Sequence, residues 1–173
     1  VLELGGGQGR DTLCFARLGF HVTVVDDAQA AVDAIVAKAK AQRLEGRVRA
    51  LCYVRTRLPF EDVTFECCYS HMLFCMGLTV VELEQLAGEV LRVLKSGGLH
   101  VYTVRHTGDP HYRTGIQRGE DMHEVGGFIV HFFDRAKVSL LTTGYEVLDI
   151  NEFEEGPPPR KLFRVTLKKV DGT

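Results

Sequence analysis

Apolar positions along the chain alternate between two rhythms. Strand-length apolar or β-branched runs occur at Val1-Leu-Glu-Leu4, Phe20-His-Val-Thr-Val-Val25, Arg47 to Val54, Phe65 to His71 and Leu99-His-Val-Tyr-Thr-Val104. Between them the spacing is helical. Asp11-Thr-Leu-Cys-Phe-Ala16 opens one helix; Val32, Ile35, Val36 and Ala39 share a face of a second, from Ala28 to about Ala41; Leu83, Leu86, Val90 and Leu94 share a face of a third, from Thr79 to about Lys95. The short apolar runs predict buried strands, and the i, i+3, i+4, i+7 spacing predicts amphipathic helices. Thr79 suits an N-cap, and Ser96-Gly97-Gly98 suits a helix stop. Repeated strand–helix–strand crossovers require a parallel sheet covered by helices, with ligands at the carboxyl ends of its strands.

After Val104 the pattern changes. Residues 105–127 are rich in glycine and polar side chains with little periodicity, and a loop of that length inside a domain is expected to be a lid or binding segment. Regular structure is expected again at Phe128-Ile-Val-His-Phe-Phe133, then a short helix from Asp134 to about Thr143. Tyr145 to Phe153 and Lys161 to Val170 read as two final strands. The turn between them, Gly156-Pro-Pro-Pro159, is short enough for a hairpin, so this pair should be antiparallel.

Composition narrows the class without naming it. With 173 residues the chain fits one domain that buries about two thirds of its unfolded surface. Apolar residues at 45% and charged ones at 25% are ordinary for a soluble globular protein, and a net charge of −2 gives no electrostatic case for nucleic acid or an anionic membrane. Arg43, Arg47, Arg49, Arg55 and Arg57 are the one basic concentration, and without interleaved aromatics they read as a solvated face. The five cysteines, Cys14, Cys52, Cys67, Cys68 and Cys75, have no C-x-x-C spacing, which fits reduced thiols in a cytoplasmic protein. No leader or membrane-length apolar run is present. The chain begins four residues before a Gly-rich turn, so an N-terminally incomplete sequence is expected.

That turn is the most informative segment. Gly5, Gly7 and Gly9 follow Glu3 at two-residue spacing, between an apolar strand and a helix start. Glycine lets main-chain N–H groups approach a ligand closely. A dinucleotide fingerprint counted from Gly5 would need its third glycine where Arg10 stands, and a phosphate-binding P-loop would need Gly-Lys-Ser/Thr, which is absent. A plain strand-to-helix turn is the alternative. Seventeen residues beyond Gly9, the second strand ends in Asp26-Asp27. A carboxylate there can accept hydrogen bonds from both hydroxyls of an adenosine ribose, a role expected of Asp26 before Asp27; the alternative is a cap on the following helix.

The E-x-G-x-G-x-G run and the acid after the second strand resemble the class I S-adenosylmethionine (SAM)-dependent methyltransferases. Leu58-Pro-Phe60, Phe65-Glu66 and Leu94-Lys-Ser-Gly-Gly98 match in order and spacing, and the resemblance covers nearly the whole chain. It implies an α/β, Rossmann-like, doubly wound and mostly parallel seven-stranded sheet with a C-terminal antiparallel hairpin, as one domain over residues 1–173. Gly9-Arg10-Asp11 looks most like the tellurite-resistance (TehB-like) and related small-molecule branch. By this resemblance Glu3 orients the loop, Gly5, Gly7 and Gly9 face the methionine portion of SAM, Asp26 holds the ribose with Asp27 beside it, and Ser70 and His71 lie near the sulfonium. One departure stands out. Many relatives carry an acid after the third strand for the adenine amino group, and here Val54 or Arg55 takes that place.

Methyl transfer from a sulfonium is an in-line displacement, so alignment is the main task and a base is needed only where the acceptor must lose a proton. His106, directly after the fifth strand, and His71 are the expected catalytic candidates; Asp109, His111, Tyr112, Asp121, His123 and Glu124 are further polar residues of the lid segment. His106, His111, His123 and His131 have no recognised ligand spacing, so no metal is expected. Cys67 and Cys68 read as core, whereas Cys75 falls in the substrate region, where it could contact a soft acceptor. An amino-methyltransferase of nucleic acid would show Asn/Asp-Pro-Pro-Tyr/Phe where the chain has Ser70-His-Met-Leu73. The expected function is methyl transfer from SAM to a small molecule. The alternatives are a SAM-binding regulatory or degenerate module and, further off, a nicotinamide-dependent oxidoreductase. Acceptor identity and oligomeric state, a homodimer included, stay open.

Overall fold

Strands β1 (Leu2–Leu4), β2 (Val22–Asp26), β3 (Val48–Cys52), β4 (Phe65–His71) and β5 (Leu94–Arg105) run parallel, with helices α1 (Arg10–Arg17), α2 (Gln29–Ala41) and α3 (Val80–Val93) following β1, β2 and β4. These elements come from a computed structural model, which describes residues 1–53 and 57–172. Helix α4 (Arg135–Leu140) precedes the hairpin of β9 (Tyr145–Glu155) and β10 (Arg160–Lys169), whose β10 pairs antiparallel with β5. The sheet order is β3-β2-β1-β4-β5-β10-β9, so winding reverses between β1 and β4. In an open α/β sheet a ligand crevice forms outside the strand ends at such a reversal.

The larger core lies between the sheet and α3 with α4. Leu83, Val90 and Val93 pack against Cys68, Tyr102, Val104, Val165 and Leu167. Phe74 stacks on Tyr102 at 5.1 Å between ring centroids, and both are fully buried, each contributing about 1.5–3 kcal/mol of apolar transfer. On α2, Ile35 is fully buried whereas Val36, expected on the same face, is 51% exposed. Helix α3 starts as its sequence predicts. Thr79 accepts the Glu82 N–H while the Glu82 carboxylate accepts the Thr79 N–H, a reciprocal cap worth about 1 kcal/mol.

Two expectations are corrected. The helix ends at Val93 rather than near Lys95, because Leu94 is already extended, and Gly97-Gly98 lies inside β5 rather than before it. There the β4–β5 register shifts, and a Cβ at Gly98 would meet the Lys95 carbonyl oxygen at 2.7 Å. Residues 105–127 are also less irregular than their composition suggests. Strands β6 (Ile116–Gly119) and β7 (Met122–Val125) join β8 (Phe128–His131) in a separate three-stranded antiparallel sheet.

This small sheet is tied to the body by a buried cation. Four acceptors surround the three N–H groups of Lys137 Nζ: the Glu120 carbonyl at 2.8 Å, the Phe132 carbonyl at 3.2 Å, Asp121 Oδ2 at 3.1 Å and His131 Nε2 at 2.7 Å. His131 Nδ1 faces the Leu78 carbonyl at 2.7 Å and therefore carries the proton. Burial, helped by the Lys137 charge and opposed by the hydrogen bond to the Leu78 carbonyl, holds its pKa below the ordinary value. Glu120 Oε2 also accepts the Val80 N–H at 2.7 Å, adding a cap to α3 from the small sheet.

Candidate functional site

The Gly-rich loop leaves β1 beside β2 and β4. Gly5 N–H donates to the Val25 carbonyl at 2.8 Å, and Gly7 N–H donates to Asp26 Oδ2 at 2.8 Å. Gly6 has no room for a side chain, since a Cβ would lie 2.4 Å from Val24 Cγ2 and 2.9 Å from Ile35 Cδ1. Gly9 is the N-cap of α1 with φ 78°, a left-handed conformation that favours glycine. Below the loop, Thr12 Oγ1 donates to Glu3 Oε2 at 2.5 Å, fastening α1 to β1. Glu3 is 2% exposed, and burial pushes its pKa up to about 7 against the hydrogen bond from Thr12.

A cavity of about 480 Å³ opens at this strand edge, lined by Gly5, Asp26, Asp27, Tyr53, Leu58 and Leu73, with Leu78 and Leu86 behind. Asp26 Oδ1 accepts the Ala28 N–H at 3.0 Å, and Oδ2 holds Gly7. A carboxylate accepts about four hydrogen bonds, so both oxygens keep capacity for a diol. The N-cap of α2 is Ala28, without a side-chain cap, so neither acid takes that position. The Tyr53 hydroxyl is buried with no partner among the described residues. Carboxylates at one end, an apolar wall and an unpartnered hydroxyl fit an adenine nucleoside. Arg55 and Val54 lie outside the described residues.

The turn His71-Met72-Leu73 divides this cavity from a second one. Leu73 lines the first; Met72, whose φ is 58°, lines a cleft of about 640 Å³ with Cys75, Met76, Arg105, Phe128 and Arg160. The turn is fastened at three points. Thr103 Oγ1 accepts the Met72 N–H at 3.0 Å and sits 2.9 Å from His71 Nδ1, while His71 Nε2 lies 3.3 Å from Glu155 Oε2. In the neutral ring the proton belongs on Nε2, facing the carboxylate, and Nδ1 accepts from the Thr103 hydroxyl.

Comparison with known proteins now decides the family. Residues 1–98 match the methyltransferase domain family. The chain belongs to it. Methyl transfer with SAM as cofactor is therefore the activity of its class, the class I SAM-dependent methyltransferases. A SAM-dependent methyltransferase from Methanosarcina mazei has a TM-score of 0.84 at 19% identity, over 98% of this chain and 91% of that one. The CcbJ methyltransferase from Streptomyces caelestis follows at 0.79 and 15%, over 98% and 82%. The 1,6-didemethyltoxoflavin-N1-methyltransferase from Burkholderia thailandensis, with bound 1,6-didemethyltoxoflavin and S-adenosylhomocysteine, reaches 0.77 and 18%, over 98% and 70%. These likenesses are of fold. No curated protein matches the chain.

Within this methyltransferase the expected catalytic histidines part company. His71 belongs to the turn between the two cavities but is not among the residues that line either of them. His106 lines neither cavity: Arg105, the last residue of β5, turns into the cleft, and His106 follows just beyond the strand, its N–H bonded to the Lys161 carbonyl at 3.1 Å. There it stacks on Phe163 at 4.6 Å, accepts the Gly108 N–H at Nδ1 and has a pKa lowered by burial. Ser70 is fully buried on β4, one residue short of the turn, and lines neither cavity. Cys75 does face the cleft, but burial pushes its thiol up to about 11, so it is protonated at neutral pH.

Most of the polar residues of segment 105–127 bond within that segment. Tyr112 donates to Asp121 at 2.8 Å, His123 packs edge-on against Tyr112, and Glu124 pairs with Arg118. Among the described residues no three His, Cys, Asp or Glu side chains group as metal ligands, and no helix is long and apolar enough to cross a membrane. Tyr53, Glu155 and Arg160 were not legible as site residues. Tyr53 had the one available signal, its place directly after β3.

Proposed function

We propose that the chain transfers a methyl group from SAM, held in the cavity of Gly5, Asp26 and Tyr53, to a small-molecule acceptor in the cleft of Met72, Cys75 and Arg105. The observation that carries this reading is the pair of cavities on either side of one fastened turn, with Met72 lining one and Leu73 the other. When bound, the cofactor supplies a methyl group on a positively charged sulfur. The chain supplies alignment. Asp26 accepts from the ribose hydroxyls, Asp27 borders them, Tyr53 and Leu58 sandwich the base, and Gly5, Gly7 and Gly9 bring main-chain atoms against the methionine portion, with Glu3 holding the loop from below. Arg105 to Gly127, with β8, covers the acceptor.

His71 is the residue assigned to proton uptake. Its Nε2 lies 3.3 Å from Glu155 Oε2 and its Nδ1 lies 2.9 Å from Thr103 Oγ1, so a carboxylate stands beside the ring when it holds a second proton, while Thr103 Oγ1 turns from donor to acceptor. The cytoplasm suits its five free cysteines.

Calorimetric titration with SAM and S-adenosylhomocysteine, with NADH as control, tests the cofactor half. The expected result is micromolar binding of both adenosyl ligands and none of NADH. A nicotinamide preference would contradict the reading. Adenosyl binding with neither acceptor methylation nor slow background turnover would favour a regulatory module.

A further inference from the structure

We infer that the acceptor cleft takes molecules that carry an anionic group on an apolar body, and that Arg160 and Arg105 are the residues that read the charge; this rests on the cleft being the acceptor site. The walls are apolar: Met72, Cys75, Met76, Val125, Phe128 and Val130. The two remaining lining residues are both arginines. A second cleft, formed with His111 and the Gly156-Pro157-Pro158 turn, shares Arg105 and Arg160 with the first. Among the described residues no carboxylate lines either one.

The carboxylates that balance these arginines stand behind them. Asp109, whose side chain is fully buried, accepts Arg105 Nε at 3.1 Å and Nη2 at 2.5 Å, and its remaining capacity is taken by the main-chain N–H groups of His111 at 2.8 Å and Lys161 at 2.9 Å. Arg105 is thereby fixed, with its guanidinium 5.3 Å from the Phe132 ring centroid and Nη1 unpaired among the described residues. Arg160 is looser. Nη2 reaches Glu155 Oε2 at 3.2 Å, and the same carboxylate also lies 3.5 Å from Arg10 Nη1 and 3.3 Å from His71 Nε2, so Arg160 shares its one carboxylate with a second arginine and an imidazole. The cleft thus presents two guanidinium groups, Arg105 with its charge matched but Nη1 free among the described residues, and Arg160 with a shared carboxylate only. Carboxylate and phosphate accept such forks through charge-assisted hydrogen bonds, whereas a cationic acceptor would meet two like charges in an apolar setting.

Calorimetry with octanoate, benzoate and 2-naphthoate against octanamide, benzamide and 2-naphthamide tests this, with and without saturating S-adenosylhomocysteine. At least one acid should bind tenfold or more tightly than its amide, and Arg160→Gln should abolish that preference while S-adenosylhomocysteine still binds. Arg160 is the chosen site because Arg105→Gln would strip the buried Asp109 of its partner. Acids and amides binding alike, no acid binding at all, or a preference untouched by Arg160→Gln would overturn the inference. An acid preference in a protein that fails to bind S-adenosylhomocysteine would sustain the anion site and refute the cofactor reading instead.

Discussion

Asp26 and Gly7 are joined directly: Asp26 Oδ2 accepts the Gly7 N–H at 2.8 Å, so the residue expected to hold a ribose also fixes the loop expected to meet the methionine portion. The acid and the loop proposed to hold the cofactor are therefore coupled. Asp26→Ala should abolish detectable S-adenosylhomocysteine binding and lower stability by about 1 kcal/mol, since it strips partners from the Gly7 and Ala28 N–H groups. Asp26→Asn keeps oxygen for one of them and should bind at least tenfold more weakly than wild type without the full stability loss. Calorimetry and urea denaturation on the same samples separate the two effects.

Glu3 makes stability depend on pH. Burial raises its folded pKa from 4.5 to about 7, so between those values the folded chain holds a proton that the unfolded chain has released. Its contribution is complete below pH 4.5 and is lost as pH rises toward 7, by about 3 kcal/mol. Glu3→Gln can still accept from Thr12 and should flatten that segment of the stability–pH curve. Urea denaturation of both proteins at pH 5 and pH 7.5 measures the difference.

His100 works in the opposite sense. Burial alone lowers its pKa to about 3, both ring nitrogens lack partners among the described residues, and its ring packs 5.0 Å from Tyr102 and 5.3 Å from Phe74. Stability from the neutral ring is present above the ordinary histidine pKa of 6.5 and is lost as pH falls toward 3. His100→Phe keeps the aromatic packing and should reduce unfolding between pH 6 and 4, as followed by circular dichroism.

Lys137→Met removes the cation that ties β6, β7 and β8 to the body. Leaving Asp121 and two main-chain carbonyls without that donor should cost about 1–3 kcal/mol. Hydrogen exchange should speed up in residues 116–131 more than in the main sheet. Uniform acceleration across both sheets would show that the small sheet is not a separately anchored unit.

Sequence and structure agree most closely where a contiguous pattern meets a local physical rule. The Gly5–Gly9 loop, Asp26, the Thr79 cap and the closing hairpin follow from neighbouring residues, and each lies where its pattern predicts. The misreadings share a cause. Whether Arg105 or His106 enters the cleft depends on the phase of β5, set by its pairing with β4 and β10 rather than by nearby sequence. Strands β6 and β7 are short and polar, too brief for periodicity to stand out. Glu155 reaches His71 only because the hairpin folds back across the strand ends, a contact that no local spacing encodes.

The most direct test of the central claim is a crystal structure with S-adenosylhomocysteine bound. The expected result is a ribose against Asp26, the base beside Tyr53 and Leu58, and the sulfur at the His71-Met72-Leu73 turn, facing the Cys75 side. A nucleoside bound elsewhere, or a sulfur pointing away from that turn, would contradict the division into cofactor cavity and acceptor cleft.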